Sequence, residues 1–151
     1  EGSRVRNFFA GELNFRLYKP ILDKSTFAFR FNSGLTNTDV LQYWYYIGGL
    51  NKIRGFADNR FAGRYFWLVN TEFRHSVISR SSFSLQAVTF LDLTTTVEEL
   101  RSFSSLQAAS FGGGFRITLP KLYRFIIRVD YAKPIKKEDD NVLSFGVQQF
   151  F

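Results

Sequence analysis

Apolar side chains recur at every second residue along nearly the whole chain, and that period confines it to sheets with two chemically different faces. From Phe9 to Leu17 the odd positions read Phe9, Gly11, Leu13, Phe15 and Leu17, while Ala10, Glu12, Asn14 and Arg16 lie between them. The next segment sets Phe27, Phe29 and Phe31 against Ala28, Arg30 and Asn32. Further on, Tyr65, Trp67, Val69, Thr71 and Phe73 alternate with Phe66, Leu68, Asn70, Glu72 and Arg74. The pattern continues with Phe83, Leu85, Ala87 and Leu91 facing away from Ser84, Gln86 and Asp92. Phe111, Phe115 and Ile117 oppose Ser110, Gly112, Gly114 and Arg116, and Tyr123 to Tyr131 oppose Arg124, Arg128 and Asp130. Leu143, Phe145, Val147 and Phe151 close the series against Ser144, Gly146 and Gln148. This fine interleaving explains how a chain with 19 Phe among 151 residues keeps a slightly polar mean hydropathy.

Two all-β architectures fit such strands, because the Phe-rich face can point inward or outward. A soluble sandwich or lipocalin-like barrel would make it the core and turn the Arg and Glu side to water. An outer-membrane barrel would turn it to lipid and line its lumen with the polar side. Most segments run about 10 to 13 residues, whereas soluble strands average about 5 to 6 and a tilted spanning strand needs about 9 to 11. Short links at Pro20 to Lys24, Val77 to Ser81 and Leu119 to Leu122 alternate with longer ones at Thr36 to Gly63, Thr94 to Ser102 and Lys133 to Asn141. Short periplasmic turns alternating with long external loops are the habit of outer-membrane barrels. Tyr18, Tyr65, Trp67, Tyr123, Tyr131 and Phe151 stand near strand ends, where interfacial girdles form. Length and connections together favour an antiparallel up-and-down transmembrane β-barrel.

Composition closes several functional classes. There is no cysteine, hence no disulfide, thiolate metal site or redox motif. The single histidine, His75, lacks the partners of a triad or a metal site, so neither catalytic nor metal residues are assigned and no cofactor is called for. Methionine is absent too, and the chain reads as a processed product or part of a longer one. The net charge of +7 does not point to nucleic acid, because Arg16, Arg30, Arg64, Arg74, Arg116, Arg124 and Arg128 all fall on the polar strand phase. They would line a lumen. Gly112-Gly113-Gly114 precedes no helix and reads as a bend or a close backbone approach inside a strand. Lys133 to Asn141, dense in Lys, Glu and Asp, reads as a solvated external loop.

Seven alternating segments make an odd number, whereas bacterial single-chain barrels use even ones. Either a further strand precedes this chain in a larger barrel, or residues 1–5 or 39–47 supply an irregular eighth strand to a small one. The connection at 36–63 is too long for a plain turn, and its Tyr43, Trp44, Tyr45, Tyr46, Phe56 and Phe61 argue for packing rather than disorder. Within it, Gly48, Gly49 and Gly55 permit turns and close approach, and Arg54 is a permanent charge that needs partners if buried.

The order of these features resembles a known family. Gly48-Gly49, then Ile53-Arg54-Gly55-Phe56, then a strand with Asn70-Thr71-Glu72-Phe73-Arg74, then Phe90-Leu91-Asp92 is similar to the C-terminal barrel region of the BamA/TamA superfamily. Phe111 to Ile117, Leu119-Pro120 and Arg128 to Pro134 resemble its penultimate strands, and Phe150-Phe151 its aromatic terminus. The superfamily includes outer-membrane assembly barrels, two-partner-secretion transporters and patatin-fused barrels. The resemblance implies the C-terminal half of a barrel of about 16 strands, with the 36–63 loop folded into the lumen. It also implies that Arg54 docks on Glu72 and Asp92, both on the polar phase. Thr94 departs from the family's frequent glycine two residues after the aspartate, which leaves the local strand end open. The implied function is insertion or export of client outer-membrane or secreted proteins, with periplasmic domains upstream and a seam at the last strand, about Val142 to Phe151, marked by Phe145, Phe150 and Phe151. The alternatives are a barrel that anchors a larger surface or secreted protein, such as a patatin-type lipase, and a soluble β-barrel that binds an apolar ligand.

Overall fold

The computed structural model describes residues 7–122, 125–135 and 141–147. Its strands are β1 (Ala10–Leu22), β2 (Ser25–Thr36), β3 (Tyr45–Ile47), β4 (Phe61–Gly63), β5 (Tyr65–Ser79), β6 (Ser84–Val97), β7 (Ala108–Leu119), β8 (Phe125–Pro134) and β9 (Val142–Val147). Seven of them form one antiparallel sheet in the order β1-β2-β5-β6-β7-β8-β9, an up-and-down meander with β1 and β9 at its edges. Five strands run 12 to 15 residues, enough to cross a bilayer with the usual tilt.

Residues 39–47 do not supply an eighth barrel strand. They form a short 3-10 turn, Leu41–Tyr43, and then β3, which pairs with β4 in a separate two-stranded sheet. The reason is that the strands on either side of the loop are already paired: β2 and β5 are hydrogen-bonded to each other from Ser25↔His75 to Leu35↔Tyr65, so no strand can enter between them. The other candidate, residues 1–5, lies outside the described residues. A second correction concerns the end of β6. The link expected to begin at Thr94 begins after Val97, because Thr94, Thr95, Thr96 and Val97 pair with Leu68, Trp67, Phe66 and Tyr65. β-branched threonines suit that pleated surface, and the Thr94 hydroxyl donates to the Trp67 carbonyl at 2.8 Å.

Burial decides which way the sheet faces. Asn70, Glu72, Arg74, Asp92, Arg116, Arg128 and Asp130 are buried, whereas Phe115 is 54% exposed and Phe145 69%. In water that arrangement would leave apolar surface exposed and strip ions of solvent, both unfavourable. In a barrel whose outside is lipid, the first cost disappears for the aromatic face, while the buried ions on the other face are offset by pairing with one another. The soluble reading, which needs the Phe face as core, does not match this burial. Tyr18, grouped by sequence with the girdle aromatics, is on the lumen phase, where the Arg74 guanidinium lies 5.8 Å from its ring centre.

Candidate functional site

The 28 residues from Asn37 to Arg64 leave the sheet after β2, form the β3–β4 hairpin, and fold back over the polar face. At the tip, the Gly49 N–H donates to the Phe56 carbonyl at 3.1 Å, and the Lys52 N–H to the Gly49 carbonyl at 3.1 Å. Both turns need left-handed backbone, with φ of 81° at Gly49 and 86° at Gly55, where a side chain would be strained. Gly55 also lets the loop touch its wall: a Cβ there would lie 3.2 Å from the Ala132 Cβ.

The apolar half of the motif anchors this tip to the lumen wall. Ile53, fully buried, and Phe56 pack with Ile47 against Phe66 and Leu68 of β5 and Ala108 of β7. Phe61 closes on Phe56, with ring centres 5.3 Å apart. Phe66 and Leu68 are the apolar members of an otherwise polar strand phase, and the loop is what covers them.

Arg54 makes the polar anchor. Its Nε and Nη2 donate to the two oxygens of Asp92, each at 2.7 Å, and its Nη1 donates to Glu72 at 2.5 Å. Its backbone N–H also reaches Asp92 at 3.2 Å, and the guanidinium lies 3.5 Å from the centre of the Phe90 ring. All three charged side chains are fully buried. Burial acts to lower the Arg54 pKa, but the charge and hydrogen bonds of Asp92, with Glu72, outweigh it and hold the group above its ordinary value. Fork-to-carboxylate pairing in a place stripped of water is the geometry in which such contacts are strongest.

Register brings the acids together. Asn70 of β5 is directly opposite Asp92 of β6, and Glu72 is the next residue on the same face. The Asn70 amide donates to Asp92 at 2.8 Å and accepts from Arg30 Nε at 2.9 Å. Glu72 is shared: its second oxygen takes Arg74 at 2.7 Å, and Arg116 approaches the first at 3.3 Å. Arg116 and Arg128 are directly opposite each other on β7 and β8, an arrangement that repels. Asp130 relieves it, at 2.5 Å from Arg116 and 3.0 Å from Arg128. Thus five guanidinium groups, of Arg30, Arg54, Arg74, Arg116 and Arg128, surround three carboxylates, of Glu72, Asp92 and Asp130. Among the described residues no group of acids or histidine is placed to hold a metal ion, and each buried carboxylate is committed to arginine.

Three successive loop carbonyls give a further tie that the motif does not encode. Leu50 O accepts from Arg128 at 2.8 Å, Asn51 O from Arg30 at 3.0 Å and Lys52 O from Asn70 at 2.8 Å. Farther back, the Tyr45 hydroxyl donates to the Gly11 carbonyl at 3.0 Å. One loop is therefore bonded to β1, β2, β5, β6 and β8. Backbone acceptors leave no residue signature, so only the alternation of Arg30, Asn70 and Arg128 onto the polar phase could have hinted at them.

The glycine run serves this wall. Gly112 faces the loop between Phe90 and Ala132, and a Cβ there would meet the Phe90 ring at 2.6 Å and the Tyr131 carbonyl closer still. Gly114 leaves room for its partner Asp130, and Gly146 for Leu50. The strand stays in regular register through all three glycines of the run, so close approach rather than a bend explains Gly112 and Gly114. Phe145 lies on the opposite, outward face of β9, away from the loop, and Phe150 and Phe151 lie outside the described residues.

A comparison with curated proteins gave no match. The family model described as the Omp85 superfamily domain matches residues 3–151, covering the loop, its charged anchor and every strand of the sheet, and the chain belongs to the Omp85 superfamily.

Proposed function

We propose that this barrel inserts or exports proteins at the bacterial outer membrane, and that the 37–64 loop serves as a brace for the lumen wall. Membership of the Omp85 superfamily supports the general role, since the family's business is assembly and translocation rather than chemistry. The observation that carries the brace is the fully buried bidentate contact of Arg54 with Asp92, with Glu72 on the third guanidinium nitrogen. A contact of that kind holds one geometry and resists sliding. With hydrogen bonds from the loop to strands as far apart as β1 and β8, it biases the curvature of the whole half-barrel.

In this reading Arg54, Glu72, Asp92 and the motif residues Gly48, Gly49, Ile53, Gly55 and Phe56 touch no client. Client outer-membrane or secreted chains act instead beside the last strand, from Val142, where a weakly paired edge templates an incoming strand. Periplasmic domains upstream would deliver them. Arg54→Ala in a depletion-and-rescue strain tests the brace, with folded barrel followed by heat-modifiable electrophoretic mobility. The expected result is a folded but poorly rescuing protein. Full rescue at normal levels would remove the brace from the mechanism.

A further inference from the structure

We infer that the external segment 98–107 is a foot resting in the headgroup region of the outer leaflet, with Leu100 and Leu106 its lipid contacts. The outer face of the sheet changes character along one row. Leu91 and Phe111, directly opposite each other, are 38% and 49% exposed. One pleat farther out, Ala109 is 5% exposed, and beyond it Thr95 is fully buried, although both carry the outward phase.

The segment 98–107 provides that cover. Trp67, outward on β5 and opposite Thr95, donates its indole N–H to the Phe103 carbonyl at 2.7 Å. The Thr95 hydroxyl donates to the Ser105 carbonyl, and Gln107 ties back to the Thr94 carbonyl and the Thr96 N–H. Unlike the 37–64 loop, this one folds outward, onto the face that lower down is lipid-exposed. It therefore ends the apolar band at the level of Trp67, a residue type at home in the interface.

Leu100, 63% exposed, and Leu106, 52% exposed, flank the Phe103 and Ser105 attachment points and extend the band outward without a covering element. Arg101 between them is almost fully exposed, with only a long contact to Glu99 at 3.8 Å. Apolar side chains beside exposed charges of both signs, Arg101 and Glu99, and continuous with a lipid-facing surface match the headgroup zone of a bilayer and its first acyl carbons.

The test uses the full-length protein, free of other cysteines, in phosphatidylcholine vesicles. Single cysteines at positions 100, 106, 73 and 39 are labelled with an environment-sensitive fluorophore. Phe73 reports the lipid band, and Asp39, whose side chain is 89% exposed in the other external loop, reports water. With lipid spin-labelled near the headgroup, positions 100 and 106 are expected to lose emission, as position 73 does when the spin label is on the acyl chain, and position 39 to keep it with either label. Quenching of 100 and 106 by aqueous iodide alone would place the segment in water and overturn the inference. Protection from both quenchers would place protein over it and would overturn it too.

Discussion

Arg54 and Asp92 meet through two parallel hydrogen bonds of 2.7 Å, although 38 residues of chain, a hairpin and a strand turn separate them. Neither partner is accessible to water, so removal of either takes the bidentate counterion from a buried charge, and without Asp92 the Arg54 fork keeps only a Glu72 already shared with Arg74 and Arg116. Asp92→Ala is expected to cost about 3–5 kcal/mol of barrel stability, measured as the urea midpoint of refolded protein in lipid vesicles. Arg54→Lys should recover little, since an ammonium offers one point of charge where three nitrogens are used.

Asp130 should be as sensitive as the acids that meet Arg54, although the resemblance of the Arg128 to Pro134 segment assigns it no partner. It separates Arg116 from Arg128, which are directly opposite in the β7–β8 ladder. Asp130→Ala leaves two buried like charges facing each other and should cost about 3–5 kcal/mol by the same urea titration. A loss below that of an ordinary exposed substitution would show that the pair relaxes into solvent in the lumen.

The glycine run predicts a contrast between adjacent positions. Gly112 points at the Phe90 ring and has no room for a side chain, whereas a Cβ on Gly113 would meet only the Val88 carbonyl, at 3.3 Å, on the lipid phase. Gly112→Leu is expected to destabilise by about 1–3 kcal/mol through overpacking. Gly113→Ala should stay within about 0.5 kcal/mol of the parent. Heat-modifiable mobility over a temperature series distinguishes the two.

At the loop tip, Gly49→Ala places a side chain at φ 81° beside the Asp58 carboxylate. The cost should exceed about 1 kcal/mol and should appear as faster proteolysis of residues 48–60 with the strands intact. Cleavage no faster than in the parent would mean that the turn accepts another backbone shape.

Much of this arrangement was legible because a strand's period fixes its faces before any contact is known. Alternation alone put Glu72, Asp92, Asn70 and Asp130 on one phase and Phe73, Leu91 and Phe145 on the other. What it lacked was register. Which acid meets which arginine depends on pairings such as Asn70↔Asp92 and Arg116↔Arg128, and on irregularities at Pro20/Leu22 and Ser76/Ile78 that no residue type announces. Hence Glu72 looked like a partner of Arg54 alone and proves to be shared with Arg74 and Arg116. Closeness to a strand end suggests a girdle place for Tyr18, but its phase, opposite the buried Ala28, is the lumen's. The outward fold of 98–107 escaped notice because it is held mainly by main-chain carbonyls, of Phe103, Ser105 and Thr94.

Whether Arg54 pins the loop to the wall is decided by a double-mutant cycle of Arg54→Ala and Asp92→Ala in the folded barrel. Pinning predicts strong coupling, with the double variant no less stable than the worse single one and an interaction energy of about 3 kcal/mol, the upper end for residues in contact. Additive losses, agreeing within about 0.5 kcal/mol, would mean that the two residues do not hold each other, and would contradict the brace.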